Sequence, residues 1–385
     1  MELYVHIPFC RKKCKYCDFI SYPGRSEEDI KIYVDALLRE AEILSKEVDE
    51  AFDTVFIGGG TPSLLPPDQL RRLFSGLSGI LSLGRVREWT VEANPESCSK
   101  AWLDAAIAEG ANRLSMGMQA SQSALLSTLG RIHSFDQVSQ SVEYARAAGF
   151  KNLNLDLMFG LPNQTPEAWM ETLRAALDLK PDHFSVYGLI LEEGTMLEKE
   201  VKSGILSLPA EDMERLMYDE ALNLLGQHGY VQYEISNFAR EGYACAHNIG
   251  YWTQVPYLGL GVASASMLHL RKEAGGLSYL RRTAAKDLET YLSGISAGYP
   301  LFSEENWISP SESRFETMML GLRMTEGVSE DAFLKLHGKT LEACYGEKLS
   351  GLMDRGLLRK DGASWKLTRR GMDIQNMVLV ELMDD

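Results

Sequence analysis

Cys10, Cys14 and Cys17 stand in the stretch Cys10-Arg-Lys-Lys-Cys14-Lys-Tyr-Cys17, the pattern C-x3-C-x2-C. Thiolates are the usual protein ligands of iron–sulfur clusters. Three local cysteines on a four-iron cubane leave one iron without a protein ligand, and an open coordination position is what a metal needs to bind a reactant. Two alternatives stand beside this reading. A structural zinc site takes four protein ligands in closed geometry, and buried thiols can be inert packing groups. The spacing, just after an apolar first strand at Leu3–Ile7, favours the cluster. Arg11, Lys12, Lys13 and Lys15 sit among the cysteines. They are either a solvated charge run or cations that offset an anionic cluster or draw in a carboxylate-bearing ligand.

The elements that must hold this loop alternate along the chain. After Leu3–Ile7 and the cysteine loop, helical spacing of Ile30, Tyr33, Leu37, Ala41, Leu44 and Val48 predicts a helix from about Ser26 to Val48, with Ser26 as N-cap. Strands are expected at Thr54–Ile57, Trp89–Ala93, Arg113–Met118, Leu153–Met158, His183–Leu189 and Val231–Ile235. Helices are expected near Asp68–Leu81, Lys100–Ala108, Phe135–Ala148, Pro166–Leu179 and Ala210–His228. Such alternation predicts parallel β/α units. Six of them make an α/β fold, a partial TIM-type (β/α)6 barrel over residues 1–235, whose chemistry belongs at the C-terminal ends of the strands. The cysteine loop, Gly58–Gly60, Glu92, Gln119 and Asp156 fall at those ends; a doubly wound open sheet would place them there too. Residues 236–300 read as a connecting segment. In 301–385, helices at Pro310–Arg323, Ser329–His337 and Leu341–Arg355, then a hairpin of Leu357–Lys360 and Ser364–Leu367, suggest a small winged-helix-like α+β domain.

The 385 residues carry a net charge of −15, which argues against sequence-independent nucleic-acid binding and against docking on anionic lipid by charge alone. The start MELYVHIPFC lacks the pattern of a secretory signal, and no run of about 18 apolar residues predicts a membrane span. Six cysteines are too few for a disulfide scaffold in a chain of this length, so a reducing cytoplasm is expected.

The cysteine spacing is similar to that of the radical S-adenosylmethionine (SAM) superfamily. That resemblance implies a [4Fe-4S] cluster that binds SAM at its open iron and cleaves it reductively to a 5′-deoxyadenosyl radical. It also implies Tyr16 near the adenine, against a plain packing role, and Gly58–Gly60 against the SAM amino group. From end to end the chain resembles the oxygen-independent coproporphyrinogen III oxidase family. The matching stretches are Tyr4-Val-His6-Ile-Pro-Phe-Cys10, Gly58–Pro62, Val91-Glu92-Ala-Asn-Pro95, Arg113-Leu-Ser-Met-Gly-Met-Gln119, Asp156-Leu-Met-Phe-Gly160-Leu-Pro162 and Gly259-Leu-Gly261. The resemblance implies that Tyr4, Gly59, Gly60, Thr61, Glu92, Gln119, Arg131 and Asp156 line the SAM pocket. Glu92 and Asp156 would accept from ribose hydroxyls or the amino group, and Arg131 would pair with the carboxylate. Read singly, strand-end carboxylates also cap helices, and an arginine also makes surface ion pairs.

Two departures and one addition set the chain apart. Phe19 stands where those oxidases carry a further cysteine, and their long N-terminal extension is expected to be absent because Tyr4 is almost the first residue. Cys245-Ala-His247-Asn248-Ile-Gly-Tyr251-Trp252 contains H-N-x-x-Y-W and resembles the signature of the HemW-type heme chaperone branch. That implies heme as a ligand, His247 as a candidate axial ligand, Cys245 as a secondary one, and Tyr251 and Trp252 as stacking partners for a macrocycle; a structural histidine in an aromatic core is the plain alternative. Cys98 and Cys344 read as packing residues. The implied partners are heme or a porphyrin, a recipient hemoprotein, an external electron donor, and a second copy of the chain or a membrane-bound recipient. The rival function is radical decarboxylation of the two propionates of coproporphyrinogen III to vinyl groups. A third is a radical SAM enzyme acting on heme itself.

Overall fold

Odd and even residues of each barrel strand part company, and this alternation builds the site. Leu3, Val5 and Ile7, Val55 and Ile57, Trp89 and Val91, Leu114 and Met116, Leu153, Leu155 and Leu157, and Phe184 and Val186 are all buried in one core. Their neighbours Tyr4, His6, Thr90, Glu92, Arg113, Ser115, Asn154, Asp156, His183 and Ser185 take the opposite, inner face. The interior of this barrel is therefore polar, unlike the layered aliphatic filling of a closed TIM barrel.

The computed structural model describes residues 1–273 and 275–383. The parallel strands Glu2–Ile7, Thr54–Gly59, Glu88–Ala93, Arg113–Gln119, Asn152–Phe159 and His183–Gly188 lie side by side in chain order, as the sequence leads one to expect. The helices Glu27–Leu44, Pro67–Ile80, Lys100–Ala108 and Phe135–Ala148 follow one another around the outside. Ser26 caps the first of them in a reciprocal capping box with Asp29.

The sheet continues beyond both expected edges. Residues Tyr257–Leu260 form a seventh parallel strand beside the first one, with Glu2 opposite Tyr257 and Val5 opposite Leu260. Antiparallel strands Ala265–Glu273, Gly276–Ala284 and Phe302–Ile308 follow in the same twelve-stranded sheet. At the other edge the expected strand Val231–Ile235 shrinks to Val231–Gln232 and runs antiparallel to Asn237–Ala239. The cause is Glu234, buried in the turn, whose carboxylate accepts from Ser236 N–H (2.9 Å) and Asn237 Nδ2 (2.6 Å) and so folds the chain back.

The C-terminal unit has its own core around Met318, Phe333, Tyr345, Leu349 and Trp365. It comprises helices Pro310–Gly321, Glu330–His337 and Leu341–Asp354 and a three-stranded antiparallel sheet of Val328–Ser329, Leu358–Asp361 and Ser364–Leu367. Helices Arg369–Asp373 and Gln375–Leu382 complete it. No described helix is long and apolar enough to cross a membrane.

Candidate functional site

The three cysteines ride on the loop between the first strand and helix Glu27–Leu44. Phe9–Cys10 pairs in parallel with Tyr22–Pro23 and closes the neck of the loop. Lys15 N–H donates to Leu129 O (2.9 Å), Leu197 N–H donates to Lys15 O (2.9 Å), and the Lys15 ammonium pairs with Glu200 at 2.7 Å. All three thiols are free and half-buried. They line one cleft of about 150 Å³ together with Tyr16, Gly59, Gly60, Thr61, Glu92, Gln119, Arg131 and Asp156. Of the residues named for SAM, Tyr4 and Gly58 are not among those that line it.

A network joins the cysteines to the strand ends. Thr61 Oγ1 donates to Cys10 Sγ (3.6 Å) and accepts from Asn94 Nδ2 (2.9 Å). Arg131 Nη2 donates to Asn94 Oδ1 (2.8 Å) and Gly117 O (2.7 Å), and its Nη1 reaches Cys14 Sγ at 3.7 Å. Burial pushes the Cys17 thiol up to about 11, so charge on these sulfurs needs a partner. Arg131 provides one fixed cation at Cys14, while Lys12 and Lys13 line the same cleft. Gly60 leaves room for the thiol: a Cβ there would stand 3.0 Å from Cys10 Sγ and 2.8 Å from Phe9 O. Among the described residues no three His, Cys, Asp or Glu side chains converge as a single-ion site. A cubane instead takes each thiolate on a different iron, and three soft donors around one cleft beside a guanidinium suit it.

The opposite wall is acidic. Glu92 accepts from Gly59 N–H (3.0 Å), and burial with the nearby Asp156 charge pushes its carboxyl up to about 8. Asp156 is also raised by burial, against hydrogen bonds from Asn154 (2.7 Å to Oδ1) and Ser185. Gln119 is aimed here by a register shift at the end of its strand, where it adopts a left-handed φ of 64°.

Above and between these groups the cleft opens into the barrel lumen, a space of about 470 Å³ reaching from Tyr16 and Phe19 down to Phe56 and Asn248. Arg113, Ser115 and Asn154 line it, Asn94 lines the cysteine cleft, and sequence reasoning passed over all four. Their signal was available in the period-2 alternation that places residues 113 and 115, and 154 and 156, on the inner face of their strands.

The helix that carries H-N-x-x-Y-W lies at the other end, with its Asn248 at the floor of the lumen. Helix Ala246–Trp252 closes the base of the barrel, where the strands begin: Glu88 accepts from Ala246 N–H (2.9 Å) and His247 N–H (3.0 Å). His247 is buried, and both ring nitrogens are engaged, Nδ1 with Thr54 Oγ1 (2.7 Å) and Nε2 with Tyr251 OH (3.1 Å). Its ring lies on Phe56 with centroids 5.2 Å apart, and burial lowers its pKa to about 3. Both nitrogens of the candidate axial ligand are thus hydrogen-bonded within the protein in this structure. Cys245, the secondary heme-ligand candidate, is buried with its thiol beside Glu88 (3.4 Å), Cys98 is buried, and Cys344 packs in the C-terminal core. Tyr4 is not among the residues of the cysteine cleft: its ring stacks on Phe56 and lines a second cavity, while its hydroxyl is bonded to His6 Nδ1 at 3.0 Å, toward the glycine turn.

Gly250 lets this helix seat. A Cβ there would overlap the buried Glu2 carboxylate. Gly250→Ala is expected to destabilise the chain by about 1–3 kcal/mol, read as a lower thermal midpoint, and Glu2→Ala in the same chain should recover part of the loss.

Comparison with known proteins agrees with this geometry. The profile of the radical SAM superfamily matches residues 4–176, and that of the HemN C-terminal domain matches 308–374. The chain is 36% identical to the heme chaperone HemW of Bacillus subtilis over 97% of both chains. It is 35% identical to that of Lactococcus lactis, covering 99% of this chain and 97% of the relative. It is 33% identical to the mitochondrial radical S-adenosyl methionine domain-containing protein 1 of Danio rerio, over 92% of this chain and 82% of the relative. The fold superposes on the coproporphyrinogen III oxidase HemN of Escherichia coli with a TM-score of 0.85 at 24% identity, covering 99% of this chain and 89% of that one.

Proposed function

The chain belongs to the HemW heme chaperone family of radical SAM proteins, and from that membership we propose that it binds heme and hands it to hemoproteins while holding a SAM-binding [4Fe-4S] cluster. Cys10, Cys14 and Cys17 are the proposed cluster ligands. When bound, the cluster supplies an open iron for SAM and an electron drawn from an external donor. The protein's own part is positional. Gly59 and Gly60 let the backbone approach the ligand, and Glu92 and Asp156 take its amino group and ribose hydroxyls. Arg131 offsets negative charge at Cys14 and meets the SAM carboxylate, and Tyr16 packs on the adenine.

The observation that carries the chaperone reading is kinship along 97% of the chain at 36% identity. Likeness to the oxidase, at 24% identity, speaks for the fold alone. Phe19 supports the same choice: it is 58% exposed at the mouth of the lumen, where a further thiol would stand in the oxidases. Six free cysteines support a reducing cytoplasm as the working compartment.

The test is anaerobic. With the cluster reconstituted and SAM and a one-electron donor present, the protein is given coproporphyrinogen III or heme. We expect tight heme binding, transfer to an apo-hemoprotein, and no decarboxylation. Appearance of protoporphyrinogen IX would overturn the chaperone reading in favour of the oxidase.

A further inference from the structure

We infer that the floor of the barrel lumen binds the carboxylate of a small organic acid, with Arg113 as the residue that takes it. This site is separate from the SAM cleft, and the chaperone reading neither assigns nor requires it.

Arg113 opens the strand Arg113–Gln119 and turns its side chain into the barrel, where it is 2% exposed and lines the lumen. Its Nε is buried without a hydrogen-bond partner, and the described residues give its guanidinium neither an ion pair nor a hydrogen bond. Taking a cation out of water is costly unless its N–H groups find acceptors. The neighbouring acids Glu88 and Asp156 act on it only through space. Their oxygens serve other donors: Glu88 accepts from Ala246 N–H (2.9 Å) and His247 N–H (3.0 Å), and Asp156 Oδ1 accepts from Asn154 Nδ2 (2.7 Å).

The polar groups beside Arg113 are no better placed to satisfy it. Asn154 is fully used, since its Nδ2 also donates to Ser115 Oγ (2.8 Å) and its Oδ1 meets His183 Nδ1 (2.6 Å) and Ser185 Oγ (3.2 Å). Ser115 Oγ accepts from Asn154, and its own hydrogen has no acceptor among the described residues. The floor thus presents a guanidinium fork and a hydroxyl donor, and the described residues supply an acceptor for neither. The two oxygens of one carboxylate suit this set, in the bidentate geometry that a guanidinium favours.

Phe56, Met158, Tyr187 and Ile190 make other parts of the lumen wall apolar. A space of about 470 Å³ with such walls fits an acid whose body is a short hydrocarbon chain or a single ring. The SAM carboxylate is a different group in a different place. Its proposed partner Arg131 is bonded to Gly117 O (2.7 Å), further along the same strand and about 13 Å from the Arg113 backbone at roughly 3.3 Å per residue. Asp18, Glu92, Asp156 and Glu192 also face the lumen. Glu92 and Asp156 are the groups proposed to meet SAM, whose positive charges would offset theirs and favour an anion at the floor.

The experiment uses the full chain with its cluster reconstituted and SAM present. Hexanoate, phenylacetate and cinnamate are each paired with the neutral primary amide of the same shape. Equilibrium dialysis reads binding, and the thermal midpoint reads its linkage to folding. At least one acid is expected to bind about tenfold or more tightly than its amide, and to raise the midpoint where the amide does not. Arg113→Met should weaken that acid about tenfold or more and leave the amide unchanged, and Ser115→Ala should weaken the acid severalfold. Added SAM should leave the acid bound or tighten it. The absence of any preference for acid over amide in all three pairs would overturn the proposal. A preference that survives in Arg113→Met, or displacement of the acid by SAM, would do the same. If Arg113→Met does not fold, Ser115→Ala decides, and an undiminished preference for the acid there overturns the proposal. None of these outcomes touches heme transfer, so the chaperone reading is tested apart from them.

Discussion

Gly60→Ala is expected to strip the reconstituted protein of nearly all its iron and sulfide, as Cys10→Ala would, although every cysteine is still present. The added Cβ would stand 2.8 Å from Phe9 O, 3.0 Å from Ile7 O and 3.0 Å from Cys10 Sγ. Two of those three atoms are backbone in the first strand and the neck of the cysteine loop, and neither can rotate away. Gly60 N–H also donates to Ile7 O at 2.8 Å, so the turn cannot back off without losing a buried hydrogen bond. The strain therefore falls on the Cys10 thiol, one of only three proposed ligands. Gly79→Ala is the matched control. It lies in helix Pro67–Ile80 with nothing near its Cβ, and should be neutral or stabilising by about 0.5–1 kcal/mol. Iron and sulfide analysis and the EPR signal of the reduced cluster read the outcome. Full cluster content in Gly60→Ala would refute the close packing described here.

The second large effect is on pH. Without ligand, the Glu92 carboxyl is pushed up to about 8 by burial and by the neighbouring Asp156 charge. If Glu92 takes the SAM ammonium as proposed, binding requires its ionised form. Below about 8 the carboxyl must first shed a proton, so SAM affinity should fall about tenfold per pH unit and roughly a hundredfold between pH 8 and pH 6. Above about 8 that dependence should level off. Glu92→Gln should bind SAM more weakly at high pH and lose most of the slope, leaving what Asp156 contributes. For folding the sign is the reverse of an ordinary salt-bridged carboxylate. The raised group favours the fold when protonated; this contribution is whole below the unfolded value of 4.5 and is lost as pH rises through about 8. Calorimetric titration of SAM across this range decides the matter, and a flat profile in the wild type would falsify the role given to Glu92.

The parts of the molecule legible beforehand are those whose signal is local. Strand and helix periods, with Gly58–Gly60 and Pro162 as punctuation, were enough for six β/α units, because each unit writes its buried face into consecutive residues. The cysteine spacing was enough for a metal loop, because its ligands lie within eight residues of one another. Less legible was the continuation of the sheet through Tyr257–Leu260 and Ala265–Ala284. Pairing with Glu2–Ile7 spans some two hundred and fifty positions, and nothing in either segment names the other. The expected strand Val231–Ile235 was cut short by Glu234, whose preference for a turn depends on finding Ser236 and Asn237 as donors.

The chain alone determined that a cubane-ready loop would stand at the C-terminal mouth of a parallel barrel, with Glu92, Gln119, Arg131 and Asp156 named for it. Only the tertiary structure decided which residues share a space. Tyr4 lies six positions before Cys10 yet is not among the residues that line the cysteine cleft, and His247 spends both nitrogens on Thr54 and Tyr251. Spacing along the backbone states which side chains are near in sequence. Which end of a strand they face, and whether a nitrogen remains free, depends on partners that folding brings from elsewhere.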